Sequence, residues 1–176
     1  MLGNGVTLSL LAIAWLGLAI TAGAQEHRVG LTGLYLYSPR SADRLKIERA
    51  IDDAVSELGM LKRGIARNRL QQSTKPIPRF QVLFESERVL LCLYHHEFEL
   101  PLDGRAVAAK GLDGHAVKAS VHMGTNVLYQ TLEGTQGSRY HEFRVREDGS
   151  VSVWTRIESE HLPMRVSYRL NYHRAP

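Results

Sequence analysis

Histidine and glutamate side chains, which can bind transition metals, are densest in the segment Tyr94-His95-His96-Glu97-Phe98-Glu99. If this segment is a strand, His95, Glu97 and Glu99 share one face while His96 points to the other. The same alternation, with Phe98 and Leu100 between the polar residues, is typical of a strand that has one solvated face. The pattern does not predict a metal site, and we expect no metal ion and no cofactor.

Residue patterns that support catalysis are also sparse. Hydrolysis by paired carboxylates requires two acids facing each other across a cleft, whereas Glu97 and Glu99 lie side by side. The chain has no Gly-x-Ser-x-Gly segment, and no glycine-rich loop that leads into a helix and would bind phosphate. The sequence therefore predicts a protein that is not an enzyme.

Large aromatic side chains are the better candidates for function, because they recur through most of the predicted strands. The candidate ligand-binding residues are Phe84, Tyr94, Phe98, Tyr129, Phe143, Trp154, Tyr168 and Tyr172. Side chains of this size either fill a small β-barrel or line an apolar cavity for one small molecule. The sequence leaves both alternatives open.

The stretch from Lys62 to Arg79 holds six cations and no acid. Lys62, Arg63, Arg67 and Arg69 could contact anionic lipid or a membrane surface, although a solvated helix end has the same composition. Binding to single-stranded nucleic acid would require aromatic residues among the cations, and only Phe80 lies nearby. We therefore expect no nucleic-acid partner.

One helix and a long run of strands must position these residues. From residue 42 to about residue 69, apolar residues at steps of three and four keep one helical face apolar, and Ser41 or Asp43 can cap its start. Gly59 and Gly64 weaken this helix, so two shorter helices are an alternative. Pro76 and Pro78 end it.

After Pro78 the apolar period changes to two, which is typical of β-strands. Leu102-Asp103-Gly104 recurs as Leu112-Asp113-Gly114, and Asp-Gly between strands is a hairpin signal. In the last strand, Val166, Tyr168, Leu170 and Tyr172 alternate with polar residues. About nine short, evenly spaced strands predict a mainly β fold, in which an antiparallel up-and-down meander forms a barrel or a strongly curled sheet.

The first 24 residues contain no Asp, Glu, Lys or Arg, and a short apolar run ends in Ala22-Gly23-Ala24. This pattern is typical of a cleavable secretory signal, and an uncleaved anchor is the alternative. The expected organisation is a signal peptide over 1–24 and one barrel-like domain over 25–176, periplasmic or extracellular after cleavage near Ala24. The charged fraction of 23% excludes a disordered chain, and the single cysteine excludes an intrachain disulfide.

Residues 30–174 resemble the calycin group, which comprises lipocalins, fatty-acid-binding proteins and bacterial lipocalin-like exported relatives. Leu31-Thr32-Gly33-Leu34-Tyr35 is similar to the Gly-x-Trp opening of the group's first strand, with Tyr35 in place of Trp. Tyr168–Arg174 is similar to the group's last strand, but lacks the Arg-x-Tyr motif that binds a fatty-acid carboxylate in that group. Helical residues after the first strand are similar to those of the fatty-acid-binding branch.

Together the residues and the resemblance predict an exported, non-catalytic protein that binds a small apolar or amphipathic, lipid-like ligand inside a β-barrel. The alternative is a structural or interaction module of the cell envelope, with a filled core and a basic helix face.

Overall fold

The computed structural model describes residues 30–176, which form ten strands and two helices. The helices are α1 (Ser41–Val55) and α2 (Met60–Ser73). The strands are β1 (Gly33–Tyr37), β2 (Arg79–Glu85), β3 (Arg88–Leu93), β4 (His96–Pro101), β5 (Val107–Lys110), β6 (Ala116–Gly124), β7 (Val127–Gly134), β8 (Gly137–Val145), β9 (Val151–Glu158) and β10 (Val166–Arg174). The predicted signal segment, residues 1–24, lies outside the described residues.

All ten strands belong to one antiparallel sheet with the order β4-β3-β2-β1-β10-β9-β8-β7-β6-β5. The sheet curls into a nearly closed barrel, in which β4 and β5 approach each other at the two ends of the strand order. The predicted mainly β, up-and-down barrel is therefore confirmed. Alternate side chains of each strand point into the barrel and form a single apolar core.

The two helices lie between β1 and β2, at one end of the barrel. We call this end the helical end. Because every strand reverses direction, the β3–β4, β5–β6, β7–β8 and β9–β10 turns also lie at this end. α1 packs against β10, and its face of Ile47, Ile51, Ala54 and Val55 is buried. Among residues 30–176, no helix is long and apolar enough to span a bilayer.

The single helix predicted over residues 42–69 is two helices, separated between Val55 and Met60. This break lies at Gly59, one of the two glycines that weaken the helical pattern, so the alternative of two shorter helices is correct. The break also reorients the apolar face, because Leu61 and Ile65 of α2 are exposed. Only Leu70 of α2 is buried.

The start of α1 differs from the expected cap. The N-cap is Arg40, whose backbone N–H donates to the carboxylate of Asp43 at 3.1 Å. Asp43 is buried and also accepts hydrogen bonds from the Tyr37 hydroxyl at 3.1 Å and from Lys46 Nζ at 3.2 Å. The carboxylate therefore connects the first turn of α1 to β1, since it serves as acceptor for both elements.

The two Asp-Gly turns have the same local geometry and different roles. Asp103 accepts from the backbone N–H of Arg105 at 2.9 Å, and Asp113 accepts from that of His115 at 3.1 Å. The second turn joins β5 and β6, which pair as predicted. The expected hairpin at the first turn is wrong, because β4 and β5 have no ladder between them and form the open seam of the barrel.

Candidate functional site

The centre of the barrel is occupied by a cluster of aromatic rings. The Phe80 ring lies 4.9 Å from the Tyr35 ring and 5.0 Å from each of the Phe143 and Tyr172 rings, measured between centroids. Tyr37 extends the cluster through Tyr172 at 5.6 Å. Rings from β1, β2, β8 and β10 therefore meet across the interior, and this part of the barrel is packed.

Five of the eight candidate ligand-binding residues belong to the core. They are Phe84, Phe98, Phe143, Tyr168 and Tyr172. Phe84 is partly buried and packs against the others. The structure brings Phe143 and Tyr172 together around Phe80, a residue that the candidate set omitted.

The structure places Tyr94, Tyr129 and Trp154 away from the barrel interior. Tyr94 follows the end of β3, adopts φ of 62° in the turn and is 50% exposed. Tyr129 lies on the outer face between the buried residues Leu128 and Gln130, and its ring stacks on His122 at 4.5 Å. Trp154 is also on the outer face, where Nε1 donates to the Ser167 hydroxyl at 2.6 Å. A ligand inside the barrel would not reach these three side chains.

Arg139 is a cation that faces the barrel interior at its helical end. In register it lies opposite the core residues Leu132 and Ile157. Its Nη2 donates to the carbonyl oxygen of Ser73, the last residue of α2, at 2.7 Å. Among residues 30–176, no carboxylate lies within ion-pair distance of this guanidinium. The hydrogen bond to Ser73 uses one of the five N–H donors of this side chain.

A row of polar side chains crosses the interior beside Arg139. Gln130 of β7, His141 of β8, Thr155 of β9 and Tyr168 of β10 are successive register partners. Gln130, His141 and Thr155 are buried, and Tyr168 is hydrogen-bonded to Thr155. We call these four residues the polar row. Apart from Arg139, the rows of inner side chains on both sides of it are apolar, so the polar row and Arg139 form one polar region in the interior.

Burial controls the protonation of these groups. Desolvation, with the charge of Arg139 as a smaller cause, lowers the pKa of His141 to about 3, so the ring is neutral at physiological pH. Burial also raises the pKa of the Tyr168 and Tyr172 hydroxyls, which therefore stay protonated. Desolvation lowers the pKa of Arg139, and attraction to Tyr168 and Asp113 opposes this effect.

Sequence reasoning missed Arg139, Gln130 and His141. A signal for Arg139 was present, because Arg139, His141 and Phe143 alternate and must share one face of a strand. In the structure β8 begins at Gly137.

The surface formed by the described residues has a cleft and a depression. A cleft of about 450 Å³ lies at the open seam between β4 and β5. It is lined by His95–Leu100 and Val107–Lys110. A wider depression of about 800 Å³ lies among turns at the opposite end, beside Asn126 and Asp148.

The histidine-rich segment lies beside the seam. The His95 and His96 rings are 4.5 Å apart, and Glu99 pairs with Arg88 on β3. Within the described part of the chain, no three His, Cys, Asp or Glu side chains are grouped to hold a metal ion. Desolvation and the nearby His95 lower the pKa of His96, which Asp113 partly offsets.

Comparisons with known proteins give similarity in structure only. No protein-family model matches the chain, and no curated protein matches its sequence. Among solved structures, lipid binding protein 8 of Caenorhabditis elegans in its apo form superposes with a TM-score of 0.55 at 8% identity, covering 83% of this chain and 96% of that one.

Two further structures agree with this result. Zebrafish ileal bile acid-binding protein complexed with cholic acid gives a TM-score of 0.53 at 7% identity, covering 83% of this chain and 99% of that one. Fatty-acid-binding protein 1 of Echinococcus granulosus gives a TM-score of 0.51 at 12% identity, covering 84% of this chain and 98% of that one. Residues 30–176 therefore have the calycin-like fold of fatty-acid-binding and lipid-binding barrels, with a helix pair after the first strand.

Proposed function

We propose that this chain is an exported, non-catalytic protein that binds a small apolar or amphipathic, lipid-like ligand inside its β-barrel. The observation that carries the proposal is Arg139, an inward-facing cation without a carboxylate partner among the described residues. A ligand carboxylate at this position would supply the missing anion, while its hydrocarbon part replaces water against the core. Solved barrels of this fold are described as a fatty acid transporter and as a bile acid-binding protein with cholic acid, which supports the ligand class.

The ligand enters beneath α2. This helix is held to the rest of the molecule through Leu70, through contacts with α1 and through the Arg139–Ser73 hydrogen bond. Few buried apolar contacts mean a low local free energy of opening. A carboxylate that binds Arg139 competes with the Ser73 carbonyl, so entry of the head group and release of the end of α2 are coupled.

Titration with a fluorescent long-chain fatty acid and a matched fatty alcohol tests this site. We expect Arg139→Met to weaken binding of the acid at least about tenfold, because a charged hydrogen bond is worth about 1.5–3 kcal/mol. Binding of the alcohol should change little. The control is Arg144→Met on the same strand, since Arg144 pairs with Glu142 at 2.9 Å on the outer face. Equal weakening of acid and alcohol would contradict the role of Arg139, and no binding of either by the unmutated protein would contradict the proposed function.

The second element of the proposal is contact with anionic lipid through Lys62, Arg63, Arg67 and Arg69. Arg63 donates to the Ser56 and Leu58 carbonyls, and Arg67 pairs with Asp52, so Lys62 and Arg69 are the cations on α2 available for such contact. Beside them the apolar side chains of Met60, Leu61 and Ile65 are 91%, 81% and 52% exposed. Exposed apolar residues flanked by cations are typical of helices that lie at a membrane interface.

Sedimentation with vesicles of phosphatidylglycerol or phosphatidylcholine tests this contact. We expect binding to the anionic vesicles alone, with a large loss in the double variant Lys62→Glu/Arg69→Glu. The control with the same change in charge is Lys110→Glu/Lys118→Glu on β5 and β6, which should bind as the unmutated protein does. An equal loss of vesicle binding in both double variants would indicate an effect of net charge. It would contradict the proposal that α2 forms the lipid-binding surface.

Export is proposed from the uncharged first 24 residues and their Ala22-Gly23-Ala24 end. After expression of the full chain in a bacterial host, we expect a periplasmic product whose mass corresponds to a chain that begins at Gln25. A full-length, membrane-associated product would favour an uncleaved anchor.

The alternative function is an interaction module of the cell envelope with a filled core. The ring cluster around Phe80 favours this alternative, because it occupies the centre of the barrel. In that case the protein should bind neither fatty acid nor alcohol, and crosslinking in the envelope should recover a protein partner joined through α2.

A further inference from the structure

His141 and Gln130 form a buried pair with unused hydrogen-bonding capacity. Nδ1 of His141 lies 3.0 Å from Oε1 of Gln130. The second ring nitrogen of His141 and the amide nitrogen of Gln130 are buried and have no hydrogen-bond partner in the described part of the chain. Leaving such groups buried and unpaired is unfavourable, so this position favours a polar group of a bound molecule.

The chemistry of the pair defines that group. A neutral histidine that donates from Nδ1 to Gln130 leaves Nε2 as an acceptor, while the Gln130 amide leaves a donor. If the amide is rotated, the histidine provides the donor and the glutamine the acceptor. Both arrangements present one donor and one acceptor, which a hydroxyl group complements. A carboxylate has no donor and an ammonium has no acceptor.

Position distinguishes this group from the head group at Arg139. Arg139 and His141 are two residues apart on β8 and share its inner face, so their Cα atoms are about 7 Å apart. Arg139 reaches toward α2, whereas His141 pairs with Gln130 on β7. A group bound at His141 therefore lies several carbons from a carboxylate bound at Arg139.

We infer that the ligand is a hydroxylated amphipathic carboxylate, with its carboxylate at Arg139 and a hydroxyl several carbons away at His141 and Gln130. This inference rests on the proposed function and narrows its ligand class. Thr155 and Tyr168 are hydrogen-bonded to each other and complete the polar row, so His141 and Gln130 are the pair left for the ligand. The apolar side chains on both sides of the row contact the hydrocarbon part.

Competition titrations with three long-chain acids test the inference. One acid is unsubstituted, one carries a hydroxyl in the middle of the chain, and one carries it on the carbon next to the carboxylate. The readout is the affinity of each hydroxy acid relative to the unsubstituted acid. We expect this ratio for the mid-chain isomer to fall at least about tenfold in His141→Phe/Gln130→Leu, since the variant leaves the hydroxyl unpaired. The ratio for the other isomer should stay unchanged.

The control variant is His122→Phe, which replaces an exposed histidine of the outer face and should keep every ratio. Thermal unfolding and binding of the unsubstituted acid report whether the double variant is folded. An unchanged ratio for the mid-chain isomer, or an equal fall for both isomers, would overturn the inference and leave the proposed function standing. If the unmutated protein binds none of the acids, both the proposed function and the inference are wrong.

Discussion

At the scale of single residues, His141 has the most altered chemistry. The ring is 2% exposed, and burial together with Arg139 lowers its pKa from 6.5 to about 3. Between these two values the unfolded chain binds a proton that the folded protein does not bind. Stability therefore falls as the pH decreases, by up to about 1.4 kcal/mol for each pH unit. Well above pH 6.5 the ring is neutral in both states, and this contribution is constant.

The first prediction follows from this sign. When the pH decreases from 7 to 5, we expect protonation of His141 in the unfolded chain to lower the free energy of unfolding by about 2 kcal/mol. The variant His141→Phe should lack this part of the decrease. Urea denaturation at the two pH values measures it. His122→Phe, which changes an exposed histidine, should keep the full decrease. The same decrease in His141→Phe would show that other groups cause it.

At the scale of elements, α2 has fewer buried side chains than α1, since only Leu70 of α2 is buried. Its apolar residues Met60, Leu61 and Ile65 face solvent, and Gly64 lies in the helix interior. Apart from its two chain neighbours and the nearby backbone of α2 itself, a methyl group added at Gly64 would meet no atom within 4 Å. Helix propensity alone decides the effect of this substitution, because no packing contact changes.

We predict that Gly64→Ala raises the free energy of unfolding by about 0.5–1 kcal/mol. The contrasting substitution is Gly137→Ala at the start of β8, where φ is 147° and a Cβ would collide with the carbonyl oxygen of Glu158. We expect it to lower the free energy of unfolding by more than about 2 kcal/mol. Chemical denaturation compares the two, and a loss of stability in Gly64→Ala would mean that α2 has contacts requiring a glycine.

At the scale of the whole molecule, the aromatic cluster determines both stability and the space inside the barrel. Phe80 is 1% exposed and contacts three rings that come from three other strands. No neighbouring residue can fill its volume without moving several strands. Its removal therefore leaves a cavity at the centre of the barrel.

We predict that Phe80→Ala lowers the free energy of unfolding by about 3–5 kcal/mol and raises the affinity for a bulky apolar probe. Phe84→Ala, a change to a partly buried residue at the margin of the core, should cost less and leave affinity unchanged. Denaturation and probe titration measure the two effects. If Phe80→Ala and the unmutated protein bind the probe with equal affinity, the space around Phe80 is not the binding site.

The sequence alone predicted the strands and the barrel, because burial of one face imposes a strict period of two. The alternation of Val166, Tyr168, Leu170 and Tyr172 is an example, and all four side chains are in the core. The sequence also indicated that the helical segment could be divided at Gly59. These features depend on residues close together in the chain.

The tertiary structure alone decided which side chains share the interior. In β7 and β9 the inner face carries Gln130 and Thr155, while Tyr129 and Trp154 face outward. A rule that places the more apolar of two neighbouring residues inside the barrel therefore assigns the wrong face of β7 and β9 to the interior at these positions. Pairing across four strands joins Gln130, His141, Thr155 and Tyr168 into one row, although 38 positions separate the first from the last. Such pairing depends on the register of distant strands, so local composition does not encode it.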